Sequence, residues 1–284
     1  MKHWLATAAR ELETVRAASP LVIVASLLGG IMALLLIWSW LFTRPWLDPL
    51  LQHLGGVVGA TFVASMFALA IQLVILLGAA RLRLRDLGVT PRGLLGGLAV
   101  GFWMWLAMQA VLLVAALVHG DGLALDPDVD RVHVRLLVDQ VAGNALEEEI
   151  IFRGFLLVQM VLLARRFMGR GAAWVTGFIA SQVFFALTHI PQRWIIMDLH
   201  GAALANNLAN TAISGVFFAI IYVRTGMLGF AVAVHALGNL PFALVDSPLD
   251  PGALYQWATV GLLVVWPLVV RRSPAAKLPA RAVM

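Results

Sequence analysis

The chain has 284 residues, of which 61% are hydrophobic and 12% charged, with a formal net charge of +5 and a mean hydropathy of +0.91. Soluble domains run nearer half apolar and a quarter charged, so a water-soluble protein is excluded and lipid must solvate much of this surface. Cysteine is absent, which removes disulfides and thiolate metal sites, and no basic stripe with interleaved aromatics speaks for nucleic acid as a partner.

In chain order, residues 1–20 mix Lys2, Arg10, Glu11, Glu13 and Arg16 and read as an N-terminal interfacial segment. The apolar run behind them is too long for the core of a signal peptide and reads as a span. Apolar stretches at 21–43, 56–80, 94–118, 136–164, 172–190, 201–223, 227–245 and 253–270 predict an all-α polytopic membrane bundle of about eight transmembrane helices over 21–270. The sixth and seventh are separated only by the tight turn Arg224-Thr225-Gly226. Residues 271–284 read as a basic, disordered tail.

Loop charge gives a topology. Arg81, Arg83, Arg85 and Arg92 fall in the second connection, Arg165, Arg166 and Arg170 in the fourth, and Arg224 in the sixth. Asp121, Asp126, Asp128 and Asp130 fall in the third, and Asp246 and Asp250 in the seventh. Basic and acidic connections therefore alternate, which predicts a multi-pass protein with both termini cytoplasmic.

The fourth span carries Gln140, Asn144, Glu147, Glu148, Glu149 and Arg153. Glu148 lies about 20 Å from Arg135 and about 25 Å from Arg165 at ~1.5 Å rise per residue, so it is near mid-membrane. Each charge there costs about 2.5–3.5 kcal/mol on the lenient insertion scale. These groups must face protein or water, and some must pair or be protonated. Glu149 and Arg153 are four residues apart with the acid first, the better order for an ion pair. Gln140, Asn144 and Glu148 form a neighbouring stripe, so Glu148 can point into a cavity while Glu149 holds the arginine. Glu147 points elsewhere and receives no role.

His189 ends the fifth span, four residues after Phe185, and His235 lies inside the seventh, four before Asn239. Imidazole changes charge near neutral pH, so two histidines and a free glutamate make an acid/base set. Water attack on an amide needs a base, donors for the oxyanion, and an acid for the leaving amine. Glu148 suits the base with His189 assisting, and His235 with the Asn239 amide suits the oxyanion. No zincin H-E-x-x-H occurs. Zinc held by Glu148, His189 and His235 and a metal-free mechanism both stay open.

These residues resemble the CPBP (Abi) family of intramembrane proteases, which includes the type II CAAX prenyl endopeptidases. The family pattern E-E-x-x-x-R, F-x-x-x-H, H-x-x-x-N stands here as Glu148-Glu149-Ile-Ile-Phe-Arg153, Phe185-Ala-Leu-Thr-His189 and His235-Ala-Leu-Gly-Asn239, within a catalytic core of about 135–245. The resemblance implies a membrane endopeptidase in which Glu148 activates water beside His189. It implies that His235 and Asn239 bind the oxyanion, with Glu149, Arg153 and Phe185 in support. The implied partners are membrane lipid and a membrane-associated or prenylated-type protein substrate. Family members are labelled metalloproteases, and a metal-free route is also argued for them. Two further readings carry buried Glu and His as well: a proton-coupled transporter and a non-catalytic, immunity-like membrane scaffold.

Overall fold

The computed structural model describes residues 15–53, 58–119, 124–126 and 131–271. The interfacial segment expected at 1–20 falls mostly outside the described residues, and the tail beyond Arg271 wholly so. Helix α1 (Pro20–Ser39) starts where Ser19 accepts from the Val22 amide at 3.3 Å and Pro20 takes the first helical position, the residue types that favour a helix start. After a short helix Leu47–His53, α2 (Ala60–Leu73) runs back and widens into a π turn at Val74–Ala79. Helix α3 is Pro91–His119 and α4 spans 131–164. Helix α5 is Arg170–Thr188, α6 is Gly201–Thr225, α7 is Leu228–Asn239 and α8 is Pro251–Arg271. Among the described residues there is no strand, only the isolated bridge Leu125–Val245.

The all-α membrane bundle is as expected. Five helices among the described residues are long and apolar enough to cross: Pro20–Thr43, Ala60–Ala79, Leu84–His119, Arg170–Ile196 and Gly201–Thr225. Of the other three expected spans, 253–270 is helical as Pro251–Arg271, and two stand apart for physical reasons. Segment 131–164 is crowded by Glu147, Glu148, Glu149 and Arg153, so it cannot face lipid. The expected span 227–245 is helical only over Leu228–Asn239, about 18 Å at the α-helical rise. Beyond Asn239 the chain leaves helical geometry. Trp105 Nε1 and Gln109 Nε2 both donate to the Phe242 carbonyl, at 2.8 and 3.1 Å, and Gln109 Oε1 accepts from the Leu244 amide at 2.8 Å. The loop's polar groups are thus met by α3 inside the bundle, the one way irregular backbone is tolerated at membrane depth.

Helix α7 is buried from Leu228 to Leu237 and packs chiefly on α3. Gly93, Gly97 and Gly101 form the contact stripe of α3. A side chain at Gly97 would strike the backbone of Gly229 and Phe230, and one at Gly229 would strike the Leu94 carbonyl. Small residues at four-residue spacing let two membrane helices approach to backbone contact.

Helix α4 occupies the centre, touching α2, α5, α6 and α7. It is not uniformly α-helical: π geometry holds over Asp139–Asn144 and Glu149–Leu157, with the α-helical turn Ala145–Glu148 between. Asp139 Oδ1 accepts from the Gly59 amide at 2.8 Å and ties this helix to the start of α2. Every residue of Glu149–Leu157 is buried. The outer faces of α1, α3 and α8 instead expose Leu21, Phe102, Trp103 and Val264, an apolar surface that suits lipid.

Candidate active site

The α-helical turn at Ala145–Glu148 sits between two π segments, and π insertions recur at functional sites because they re-aim side chains. Here they deliver two consecutive glutamates to different sets of partners, with His235 lying between them. Glu149 has no solvent exposure and divides its oxygens: Oε1 lies 2.8 Å from His235 Nδ1, and Oε2 lies 3.3 Å from Arg153 Nε. The Arg153 guanidinium also reaches the Gly215 carbonyl at 3.3 Å, and it lies over the rings of Phe185 at 4.2 Å and Phe218 at 5.4 Å. A fully buried guanidinium is thereby held by one carboxylate, one carbonyl and two aromatic faces, which offset its loss of water.

Glu148 is the less buried of the pair, with 13% of its side chain exposed. Its Oε1 lies 3.6 Å from His189 Nε2 and its Oε2 lies 3.7 Å from His235 Nε2. These separations are too long for direct hydrogen bonds. Each histidine is oriented from behind. His189 Nδ1 lies 2.7 Å from the Phe185 carbonyl, and a carbonyl only accepts, so Nδ1 carries the hydrogen. His235 Nδ1 likewise donates to the Glu149 carboxylate. Both imidazoles then turn Nε2 toward Glu148, because the group hydrogen-bonded to Nδ1 fixes the orientation of the ring. Phe218 stacks on His235 with ring centroids 4.3 Å apart, and Phe185 meets His189 edge-on at 4.9 Å.

Glu148 also lines a cavity with room for water centres of about 90 Å³, enough for several molecules. Its polar wall is Gln72, Asn144, Glu147, Glu148, Thr188 and His189, and its apolar wall is α1, through Leu27, Ile31, Leu34, Leu35 and Trp38.

Of the residues singled out in the sequence, Glu148, His189 and His235 converge, and Glu149, Arg153 and Phe185 surround them. Asn239 is exposed, and its Nδ2 donates to Gln140 Oε1 at 3.0 Å. Sequence reasoning passed over three residues. Glu147 lines the cavity, with the Gln72 side chain facing it. Gln72 was legible as a lone polar residue within an apolar span. Phe218 carried no sequence signal, since a phenylalanine in a membrane helix is ordinary.

The donor set also bears on a metal. Among the described residues no three ligating side chains converge as a bound ion requires. The two histidines approach different oxygens of Glu148 rather than one point, an arrangement that does not fit a single bound ion.

No curated protein and no solved structure matches the chain. Residues 132–241 match the family model described as type II CAAX prenyl endopeptidase Rce1-like. That segment contains every residue of the Glu148, His189 and His235 cluster, so the chain is similar to that family over the part that carries the site.

Proposed function

We propose that the protein is an intramembrane endopeptidase in which Glu148 activates a water molecule to hydrolyse a peptide bond of a membrane-associated protein. The observation that carries this reading is the convergence of the Glu148 carboxylate with Nε2 of His189 and Nε2 of His235, 3.6 and 3.7 Å from its oxygens and too far for direct hydrogen bonds. A water molecule held between them gives a hydrogen to the carboxylate, and its oxygen then acts as the nucleophile.

In the reaction, Glu148 takes the water proton as the oxygen attacks the carbonyl carbon. His189, half-buried at the end of α5, assists and holds the developing hydroxide. The C–N bond then breaks, and the proton held by Glu148 passes to the leaving amine. His235 serves as the imidazolium throughout, with the Glu149 carboxylate behind it stabilising the charge, and donates through Nε2 to the oxyanion without giving up its proton. Asn239 contributes through Gln140, one of the stripe residues of α4, as a positioning residue. Glu149 and Arg153 fix His235 and take no proton from substrate.

The substrate class follows from the cavity walls. An apolar side chain packs on the leucines of α1 while its peptide bond faces Glu148. Lipid surrounds the bundle, and the charge bias of the loops supports cytoplasmic termini.

The test is hydrolysis by the purified protein in lipid, compared with Glu148→Gln. Glu148→Gln retains the shape and removes the base, and hydrolysis is expected to vanish. Undiminished hydrolysis by that variant would falsify the mechanism.

A further inference from the structure

The cavity has an end. Its rim is formed by Trp38 near the end of α1, Thr61 at the start of α2, and Pro191, Gln192 and Ile196 beyond the end of α5. Leu27, Gln72 and Phe152 form its floor inside the bundle. All rim residues lie at one end of the bundle, since α1 and α5 finish there and α2 begins there. Trp40, Trp46 and Trp194 at the same end are exposed, as tryptophans at a lipid headgroup boundary are.

The basic residues gather at the other end. Arg81, Arg83, Arg85 and Arg92 connect α2 to α3, Arg165, Arg166 and Arg170 connect α4 to α5, and Arg224 closes α6. The rim end keeps Arg44, Arg131, Arg135 and Arg193, and among the described residues it also carries Asp126, Asp198, Asp246 and Asp250. Lysine and arginine in short loops mark the cytoplasmic side, whereas aspartates contribute little to orientation. The rim therefore faces away from the cytoplasm.

We infer that the site is served from the non-cytoplasmic face, so that its substrates are peptide segments of membrane-anchored or exported proteins on that side. A prenylated C-terminal tail is made and held on the cytoplasmic side, where the floor of the cavity is closed by α4 and α2. This rests on the endopeptidase reading and narrows its substrate class: the scissile segment enters past Trp38 and Gln192, lays an apolar side chain on α1, and meets Glu148 from above.

The test uses the full chain in sealed membranes and thiol labelling, which the absence of native cysteine makes unambiguous. Thr61→Cys and Gln192→Cys report the rim, and Phe167→Cys, highly exposed between α4 and α5, reports the basic end. In right-side-out vesicles a membrane-impermeant maleimide is expected to modify at least one rim thiol, while Phe167→Cys reacts only after the membrane is opened. The reverse pattern, or no rim labelling from outside in either variant, overturns the inference. Hydrolysis of a farnesylated CAAX peptide added to the cytoplasmic face of sealed inside-out vesicles would overturn it as well. Labelling needs no turnover, so a protein that labels as expected yet cleaves nothing counts against the peptidase reading alone.

Discussion

Nδ1 of His235 lies 2.8 Å from Oε1 of Glu149, a carboxylate without solvent exposure. This contact joins α7 to α4 inside the bundle. The other oxygen of Glu149 faces Arg153, so one side chain fixes both the imidazole that faces Glu148 and the buried cation behind it.

Glu149 is therefore a residue of stability. Glu149→Ala strands Arg153 without a carboxylate, and breaking a buried pair from one side costs about 3–5 kcal/mol. We expect a large drop in thermal midpoint in detergent and poor yield. A Glu149→Ala protein as stable as the parent would show that Arg153 has other compensation.

Glu148 should behave in the opposite way. Neither of its oxygens lies within hydrogen-bonding distance of the two histidines, so Glu148→Gln leaves the packing intact. The thermal midpoint should stay put while hydrolysis falls by at least the ~10²–10⁴ typical of a positioned acid or base. Parallel loss of stability and activity would reassign Glu148 to the scaffold.

Phe218 stacks on His235 at 4.3 Å. Phe218→Leu keeps an apolar filler but loses the aromatic contact, worth about 0.5–1.5 kcal/mol. The expected result is a lower kcat of up to about tenfold with KM little changed, because the imidazole is loosened and the cavity wall is not. A change confined to KM would place Phe218 on the substrate side instead.

The α3–α7 contact offers a matched pair of substitutions. A methyl at Gly97 meets the backbone of Gly229 and Phe230, whereas one at Gly96 meets nothing within 4 Å. Gly97→Ala should cost about 1–3 kcal/mol by overpacking and displace His235, lowering activity too. Gly96→Ala should be neutral in both assays, and equal effects of the two would mean that α7 does not seat on this stripe.

Asn239 and Gln140 are joined at 3.0 Å. If Asn239 works through Gln140, Asn239→Ala and Gln140→Ala should slow hydrolysis to the same partial extent, and the double variant should be no slower than either, as for residues acting as one unit. Additive losses would give Asn239 a separate contact with substrate.

Much was legible in the sequence. Hydropathy sets the class, because no soluble core could hide so many apolar side chains. The cost of charge in lipid singles out Glu148, Glu149, Arg153, His189 and His235, since only buried, partnered groups survive there. Four-residue spacing pairs Glu149 with Arg153 along one helix. The glycines of α3 and the lone Gln72 were equally visible, but their partners were not, being far away in the chain.

Tertiary structure decided the rest. Periodicity states which residues share a face of one helix, but not which helix that face meets. The π segments of α4 break the 3.6-residue phase on either side of Glu148, so the second bond of Glu149, to His235, cannot be counted off the sequence. The length of α7 was set by Trp105 and Gln109, which satisfy the Phe242 and Leu244 backbone and let the helix stop early. Which nitrogen of each histidine faces Glu148 was likewise settled by a carbonyl and a carboxylate behind the rings. These outcomes depend on contacts between helices distant in sequence, and packing alone brings those helices together.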